Sequence, residues 1–422
     1  AGLTIYSTQN SSIQGKMEKE FEKTKYQLKS QNGGEHSQAA MVLIDHKTGQ
    51  VLGCVGGLGK KTTSRGLNRA TQSIRQTGSC IKPIAVLVPG ISEKLFTGAT
   101  IFDDEQKEFA DGYNPENYSK YLGNITVRRA LESSQNIPFV EMMEKITPKI
   151  SMKYLKKMGI TTLSKKDENL ALALGGLDKG ISPLQMASAY ATIANDGILM
   201  KPRIVKQITN TDTGAITNIE PTTVRQVVSK ETSQKVKSMM ESVVTKGTGG
   251  RGAVAGYSIG GKTGTSEPTD DKKETEGYVA SYVAISPIED TRVVLLLTLY
   301  KPSESNHQGG QVAGPVVSQM LTKILPELGI PSNETTSEDD SNLITVPDIR
   351  NKTITEAEKI LKNAGFTTKI TTSNDKNSTQ VIDQVPKPGV SLAKNSIIML
   401  YDQSVRTTTC LLYTSDAADE AR

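Results

Sequence analysis

The sequence is poor in the side chains that most often build metal sites and disulfide frameworks. It holds three cysteines and three histidines in 422 residues. Cys54, Cys80 and Cys410 lack the paired spacing of a zinc site, and an odd number closes no disulfide framework. His36, His46 and His307 form no HExxH-type cluster, so zinc is a poor reading and neither metal nor cofactor is expected. The same scarcity makes a Ser-His-Asp hydrolase hard to assemble. Long apolar runs are missing too. No window approaches the ~18 apolar residues of a membrane span, and the densest run, Val293-Val-Leu-Leu-Leu297, has the length of a strand. The net charge of +5 is mild for this length and leaves no nucleic-acid footprint. Neither an initiator Met nor a signal peptide stands at the start, so Ala1 is read as a cut inside a longer protein.

What is present is enough chain for two or three domains. Residues 3–7 read as a strand and 12–28 as a charged amphipathic helix ending at Gly33-Gly34. Residues 38–44 and 50–55 read as a hairpin around Asp45-His-Lys-Thr-Gly49. From 71 to about 212 the pattern is mainly helical. Candidate helices are 79–88, 126–134, 138–146, 149–158 and 182–195, with Thr126 and Ser182-Pro183 as N-caps and Gly159 and Gly197 at C-terminal ends. A further helix, 232–244, precedes strands at 257–265, 278–286 and 292–299 and an apolar helix at 312–325. The pattern predicts an α+β fold: one antiparallel five-stranded sheet, sandwiched by helices, with a mainly helical subdomain inserted. Residues 329–343 have the composition of an acidic linker. A small α+β unit at about 344–403 follows, with a helix at 355–364 and strands near 367–372, 380–384 and 396–401. Residues 404–422 show no periodicity and read as a disordered or non-native tail.

Three short motifs stand in order. Ser79-Cys-Ile-Lys82 opens an apolar helix, with Ser79 and Lys82 on one face. Gly78 permits the sharp entry, and Pro83, tolerated in a first turn, fixes where the helix begins. Ser134-Gln-Asn136 ends a helix just before Pro138. Lys262-Thr-Gly-Thr265 lies on a strand. The other copies read as decoys: Ser373-Asn-Asp-Lys376 and Ser391-Leu-Ala-Lys394 as polar surface, Lys47-Thr-Gly49 as a turn, Ser30-Gln-Asn32 as a loop. Gly175-Gly176 and Gly247–Gly252 lack a phosphate-loop pattern and read as turns near a site rim. Cys80 reads as a core residue, pointing about 100° away from Ser79. Arg69 and Arg75 read equally well as cleft residues or as partners in structural salt bridges.

With its flanking segments Ala39-Ala-Met-Val-Leu-Ile-Asp45, Arg75-Gln-Thr-Gly78, Leu172-Ala-Leu-Gly-Gly176, Ser182-Pro-Leu-Gln-Met-Ala187 and Gly260-Gly-Lys-Thr-Gly-Thr-Ser266, the trio resembles the transpeptidase domain of class A (bifunctional) penicillin-binding proteins. The resemblance covers residues 36–328. Gly2-Leu-Thr-Ile-Tyr-Ser-Thr8 resembles the strand leading out of a glycosyltransferase half, so 1–35 is read as that connection, with the glycosyltransferase and membrane anchor upstream. Residues 344–403 resemble one PASTA repeat through Val346-Pro-Asp348, Gly365-Phe366 and Val385-Pro-Lys-Pro-Gly389. That implies a Gram-positive source and a unit that binds peptidoglycan. The resemblance implies a D,D-transpeptidase on the extracytoplasmic membrane face, acting on D-Ala-D-Ala stem peptides and acylated by β-lactams.

In that frame Ser79 is the nucleophile and Lys82 its base, its pKa lowered by burial and by Lys262. Ser134 relays a proton between Lys82 and the leaving amine, and Asn136 bonds the substrate amide. The N–H groups of Ser79 and Thr265 form the oxyanion hole. Lys262, Thr263 and Thr265 hold the terminal carboxylate, and Gly264 keeps the approach to the strand clear. The alternatives are a D,D-carboxypeptidase, a serine β-lactamase, or a non-catalytic sensor of β-lactam or cell wall. No Glu-x-x-Leu-Asn motif of a deacylating β-lactamase lies between Ser134 and Lys262; Glu168-Asn-Leu170 has the wrong order.

Overall fold

A computed structural model describes residues 2–23, 37–268, 277–302, 306–332, 343–370 and 376–402. The Ser30-Gln-Asn32 and Gly33-Gly34 stretches, most of the acidic linker, Cys410 and the tail lie outside them. The described residues divide into two compact units, one up to Pro331 and one from Ser332 to residue 402.

The first unit is built on five strands: β1 (Gln38–Asp45), β2 (Gln50–Val55), β3 (Gly260–Ser266), β4 (Val279–Ser286) and β5 (Val293–Tyr300). Their order is β3-β4-β5-β1-β2, antiparallel throughout. The five-stranded antiparallel sheet expected from the sequence is therefore present. Side chains alternate across it with the period of two that a strand imposes. Ala40, Val42, Ile44, Val283, Ile285, Val294 and Leu296 face one core, while Ala39, Met41, Leu43, Tyr282, Ala284, Leu295 and Leu297 face the other. Because both faces are covered, β4 and β5 are buried at every position. The second face is covered by α1 (Ser11–Phe21), through Ile13, Met17 and Phe21, and by the helix Gly314–Glu327. Each large apolar side chain so enclosed contributes roughly 1.5–3 kcal/mol.

The first face is covered by the helical block. The helices Val127–Ser133, Pro183–Ala194 and Lys230–Lys246 start where short polar side chains can accept from the first free N–H groups: Thr126, Ser182 and Ser229 accept from Arg129, Gln185 and Thr232. Gly159 and Gly197 take positive φ (+89° and +84°) beyond their helices, as expected at those ends. The block is less uniformly helical than its sequence suggests. Ile101–Asp104 pairs with Gly123–Thr126, Ile198–Met200 with Thr223–Gln226, and Val205–Asn210 lies between Leu3–Ser7 and Ile216–Asn218. These strands are only three to six residues long and mostly exposed or half-buried, so they carry no apolar alternation to read.

The helix after Gly78 also departs from expectation. It begins as a 3-10 turn, Gly78–Ile81, and widens to a π-helical stretch, Pro83–Leu87, before Val88–Ser92. Pro83 thus marks the change of winding rather than the start. Pro83 and Pro89 cannot donate to the carbonyls three and four residues earlier. Side chains do so instead: Tyr190 O–H donates to Cys80 O at 2.6 Å and Ser151 O–H to Ala85 O at 2.6 Å.

The second unit has its own core of Val346, Ile349, Ile354, Ala357, Leu361, Phe366, Val381, Ile398 and Leu400. Its helix, Ile354–Asn363, starts with a capping box of Thr353 and Glu356. Ile397–Tyr401 is the central strand, parallel to Thr367–Ile370 and antiparallel to Asp383–Val385. A further pair, Leu343–Thr345 with Ser391–Ala393, is too short to show in the sequence pattern.

Candidate active site

Ser79, Lys82, Ser134, Asn136 and Lys262 come together from three segments of the first unit. Ser79 is half-buried at the start of its helix, and its hydroxyl makes no side-chain hydrogen bond to another described residue. One turn on, Lys82 is fully buried beneath it. Its Nζ donates to Ser134 O at 2.7 Å, Gln135 O at 2.8 Å and Asn136 Oδ1 at 2.8 Å. It also lies 5.0 Å from the centroid of the Phe139 ring. The three acceptors are available because Ser134-Gln-Asn136 belongs to no helix. Ser134 takes a left-handed conformation (φ +57°) that closes the helix Val127–Ser133, and the next helix begins at Ile137. Carbonyls that a continuing helix would consume are left for the lysine.

Lys262 is fully buried on β3, the edge strand of the sheet. Its Nζ donates to Ser134 Oγ at 2.8 Å and to Thr263 O at 2.9 Å. The Ser134 hydroxyl is therefore held by Lys262, whereas Lys82 meets Ser134 through its backbone carbonyl. The outer edge of β3 abuts the beginning of the Ser79 helix: Ser266 Oγ donates to Gln76 O at 3.2 Å and Cys80 Sγ to Lys262 O at 3.5 Å. Thr263 Oγ1 pairs with Thr248 Oγ1 at 3.2 Å. Thr265 Oγ1 bonds Gln308 Oε1 at 3.3 Å and accepts from Gly309 N at 3.1 Å.

Burial governs the charges here. Lys82 is pushed well below the ordinary lysine range, first by desolvation and then by the neighbouring Lys262 charge, with Asp104 acting the other way. Burial also lowers Lys262, to about 8. Cys80 cannot offset it, because burial raises that thiol to about 12 and keeps it neutral. Three oxygens around Lys82 Nζ would saturate an ammonium. The neutral amine that burial favours keeps two of those bonds and frees a lone pair to accept a proton.

Several smaller expectations meet their answers. Cys80 is buried in the core. Gly175 has φ +85°, and a Cβ there would stand 2.5 Å from Gly78 O, so this turn lies against the start of the Ser79 helix. Thr248, within the other glycine-rich turn, touches Thr263. Lys47-Thr-Gly49 is a turn with Gly49 at φ +70°. Arg75 Nη1 donates to Ile74 O, and neither Arg69 nor Arg75 makes an ion pair among the described residues. Gly264 also has a packing role. A Cβ there would meet Thr77 O and Cys80 Sγ at 2.7 Å, so the glycine is required by packing on the Ser79 helix. Sequence reasoning missed Gln135, Asn117 and Asp104, which back the loop. Only Gln135, lying between Ser134 and Asn136, left a signal. Among the described residues no His, Cys, Asp or Glu group gathers as a metal-ligand set.

Residues 39–322 match the family model described as the penicillin binding protein transpeptidase domain, and residues 344–401 match that of the PASTA domain. Penicillin-binding protein 1F of Bacillus subtilis is 37% identical over 273 residues, covering 63% of this chain and 37% of that protein. Penicillin-binding protein 1A of Clostridium botulinum is 33% identical over 280 residues, covering 63% of this chain and 33% of that protein. The chain thus spans about a third of the length of these relatives. Among solved structures, the D,D-transpeptidase domain of a peptidoglycan glycosyltransferase from Eggerthella lenta superposes with a TM-score of 0.64 at 22% identity, covering 78% of this chain and 85% of that one. The transpeptidase domain of Burkholderia pseudomallei penicillin-binding protein 3 does so with a TM-score of 0.61 at 26% identity, covering 78% and 97%. With the serine, the two buried lysines and the intervening loop gathered beside the edge strand of this fold, the chain belongs to the penicillin-binding protein transpeptidase family.

Proposed function

We propose that the first unit is a peptidoglycan D,D-transpeptidase with Ser79 as its nucleophile. The observation that carries this reading is the pair of lysine contacts on one loop: Lys82 Nζ to Asn136 Oδ1 and Lys262 Nζ to Ser134 Oγ, both at 2.8 Å. Neutral Lys82 takes the Ser79 proton as Oγ bonds to the carbonyl carbon of the penultimate D-Ala. The oxyanion is held by the N–H groups of Ser79 and Thr265, each such donor being worth about 3–4 kcal/mol. The C–N bond to the terminal D-Ala breaks, and Ser134 O–H passes a proton from the Lys82 ammonium to the leaving amine. Asn136 bonds the substrate amide, and Lys262, Thr263 and Thr265 hold the terminal carboxylate. Gly264 lets the strand and the serine helix approach closely enough for this. An amine of a neighbouring stem peptide then attacks the acyl ester, loses a proton and frees Ser79. A β-lactam acylates the same oxygen as its ring opens.

In the same reading, residues 36–328 form the catalytic domain and 344–403 a PASTA domain that binds peptidoglycan, joined by 329–343. A glycosyltransferase half and an anchor to the extracytoplasmic membrane face belong to the longer protein. Fluorescent-penicillin labelling followed by intact-mass measurement over hours tests the reading. A stable adduct that disappears in Ser79→Ala is expected. Labelling that survives Ser79→Ala would sink the site, and prompt loss of the adduct would replace transpeptidase by β-lactamase.

A further inference from the structure

Behind the Ser134-Gln-Asn136 loop lies a carboxylate that the proposed chemistry does not use. Asp104 ends the strand Ile101–Asp104 and is fully buried. It makes no ion pair among the described residues. Instead it accepts from three neutral donors: Asn117 Nδ2 on Oδ1 at 2.7 Å, and Leu122 N at 2.9 Å and Gln135 Nε2 at 2.6 Å on Oδ2. An ionised carboxylate only accepts, so both amides that face it must present their NH2 groups. That fixes which way the Asn117 amide points, and together with Lys120 O, which accepts from Gln135 Nε2 at 2.8 Å, it fixes Gln135. Asn117 must turn its Oδ1 away, and this oxygen accepts from Asn136 N at 2.7 Å. Gln135, itself buried, is pinned by its side chain while its backbone carbonyl accepts from Lys82 Nζ. Two of the three oxygens around the lysine thus belong to residues tied to one carboxylate, Gln135 directly and Asn136 through Asn117.

Building on the transpeptidase reading, we infer that Asp104 is a positioning residue: it sets the donor–acceptor polarity of the Asn117 and Gln135 amides and so holds the Gln135 carbonyl and Asn136 side chain on Lys82. In Asp104→Asn the new amide has one acceptor where two are needed. If its oxygen keeps Leu122 and Gln135, its NH2 confronts Asn117 Nδ2. Asn117 must then flip, and Asn136 N loses its acceptor. In the exchange Asp104→Asn with Asn117→Asp, every bond is restored. The amide oxygen now at position 104 serves Leu122 N and Gln135 Nε2, and its NH2 donates to the carboxylate now at position 117. The other oxygen of that carboxylate takes Asn136 N.

The test is the second-order rate of acylation by fluorescent penicillin, with thermal unfolding measured alongside, on the whole chain. The wild type must first be labelled at Ser79; if it is not, the transpeptidase reading fails and this inference goes with it. Given a labelled wild type, Asp104→Asn is expected to lose tenfold or more in rate, a displacement of about 1 Å at a reacting group being worth ~10²-fold. The exchange variant is expected to recover to within about threefold of wild type. An Asp104→Asn rate equal to wild type overturns the inference. So does an exchange variant no faster than Asp104→Asn, whether through loss of rate or loss of fold, because a network restored at every bond should recover.

Discussion

Lys82 and Lys262 are both fully buried, yet replacing each by Met has a different cost. Lys82→Met removes both N–H donors of the neutral amine, and each buried oxygen so orphaned costs about 1–3 kcal/mol when water cannot reach the site. Its Tm should fall. Lys262→Met removes a desolvated cation whose partners are one half-buried hydroxyl and one carbonyl, and exchanging a buried charge for an apolar side chain is often neutral or stabilising. Its Tm should hold or rise, while β-lactam acylation collapses in both variants. A lower Tm for Lys262→Met than for Lys82→Met would contradict this. The pH dependence follows from the same burial. Lys262 falls from 10.5 to about 8 on folding, so between those values the unfolded chain binds more protons and stability rises with pH, by about 3 kcal/mol across the window. Acylation has the opposite dependence on this residue. In the proposed mechanism the cation that holds the substrate carboxylate is lost as pH rises through about 8, while Lys82 has to be neutral and limits the acid side. Lys262→Arg stays charged far above that pH and should erase the alkaline limb of the acylation profile; a limb that persists would assign it to another group.

The edge strand β3 and the serine helix interlock through missing side chains. Gly78 sits at φ +52°, and a Cβ there would stand 2.2 Å from Thr265 O; Gly264 faces Cys80 and Thr77 O at 2.7 Å. Gly264→Ala should destabilise by about 1–3 kcal/mol, the usual cost of overpacking. Cys80→Ala removes one of its two obstacles, so the double variant should be more stable than the two separate losses predict, with a coupling of roughly 0.5–3 kcal/mol. Thermal unfolding of the four proteins measures it, and strict additivity would mean that the helix does not set the strand's tolerance. The sequence showed the order of these elements, because the short apolar runs of β1, β4 and β5 and the capping residues Thr126 and Ser182 are local signals. It did not show what faces Gly264, since that contact joins segments far apart in the chain. Nor did it show Asp104 or Asn117, which sit at the end of a four-residue strand and in a loop without periodicity. The π-helical turn after Pro83 was hidden for the same reason: Tyr190 and Ser151, which donate to the carbonyls it leaves free, come from other helices.

At the scale of the whole chain, the two units close separate cores. The apolar residues that surround the five-stranded sheet and those of Val346 to Leu400 form distinct clusters with no member in common. All the described site residues belong to the first unit, which ends at Pro331. Residues 1–331 alone should therefore be acylated at Ser79 within about twofold of the full chain, because Ser79, both lysines, the Ser134-Gln-Asn136 loop and β3 all lie within that stretch. Calorimetry should resolve two events in the full chain and one in the shortened one. At about 0.7 kcal/mol per residue, the missing event should carry roughly 40 kcal/mol for a unit of this size. A small domain buries a lower fraction of its surface than a large one, so it should melt first. A single transition in the full chain, together with loss of acylation in residues 1–331, would show that the second unit is part of the catalytic fold. Retained acylation with loss of the earlier event would show that the site depends on the first unit alone, leaving the second free to bind its own ligand.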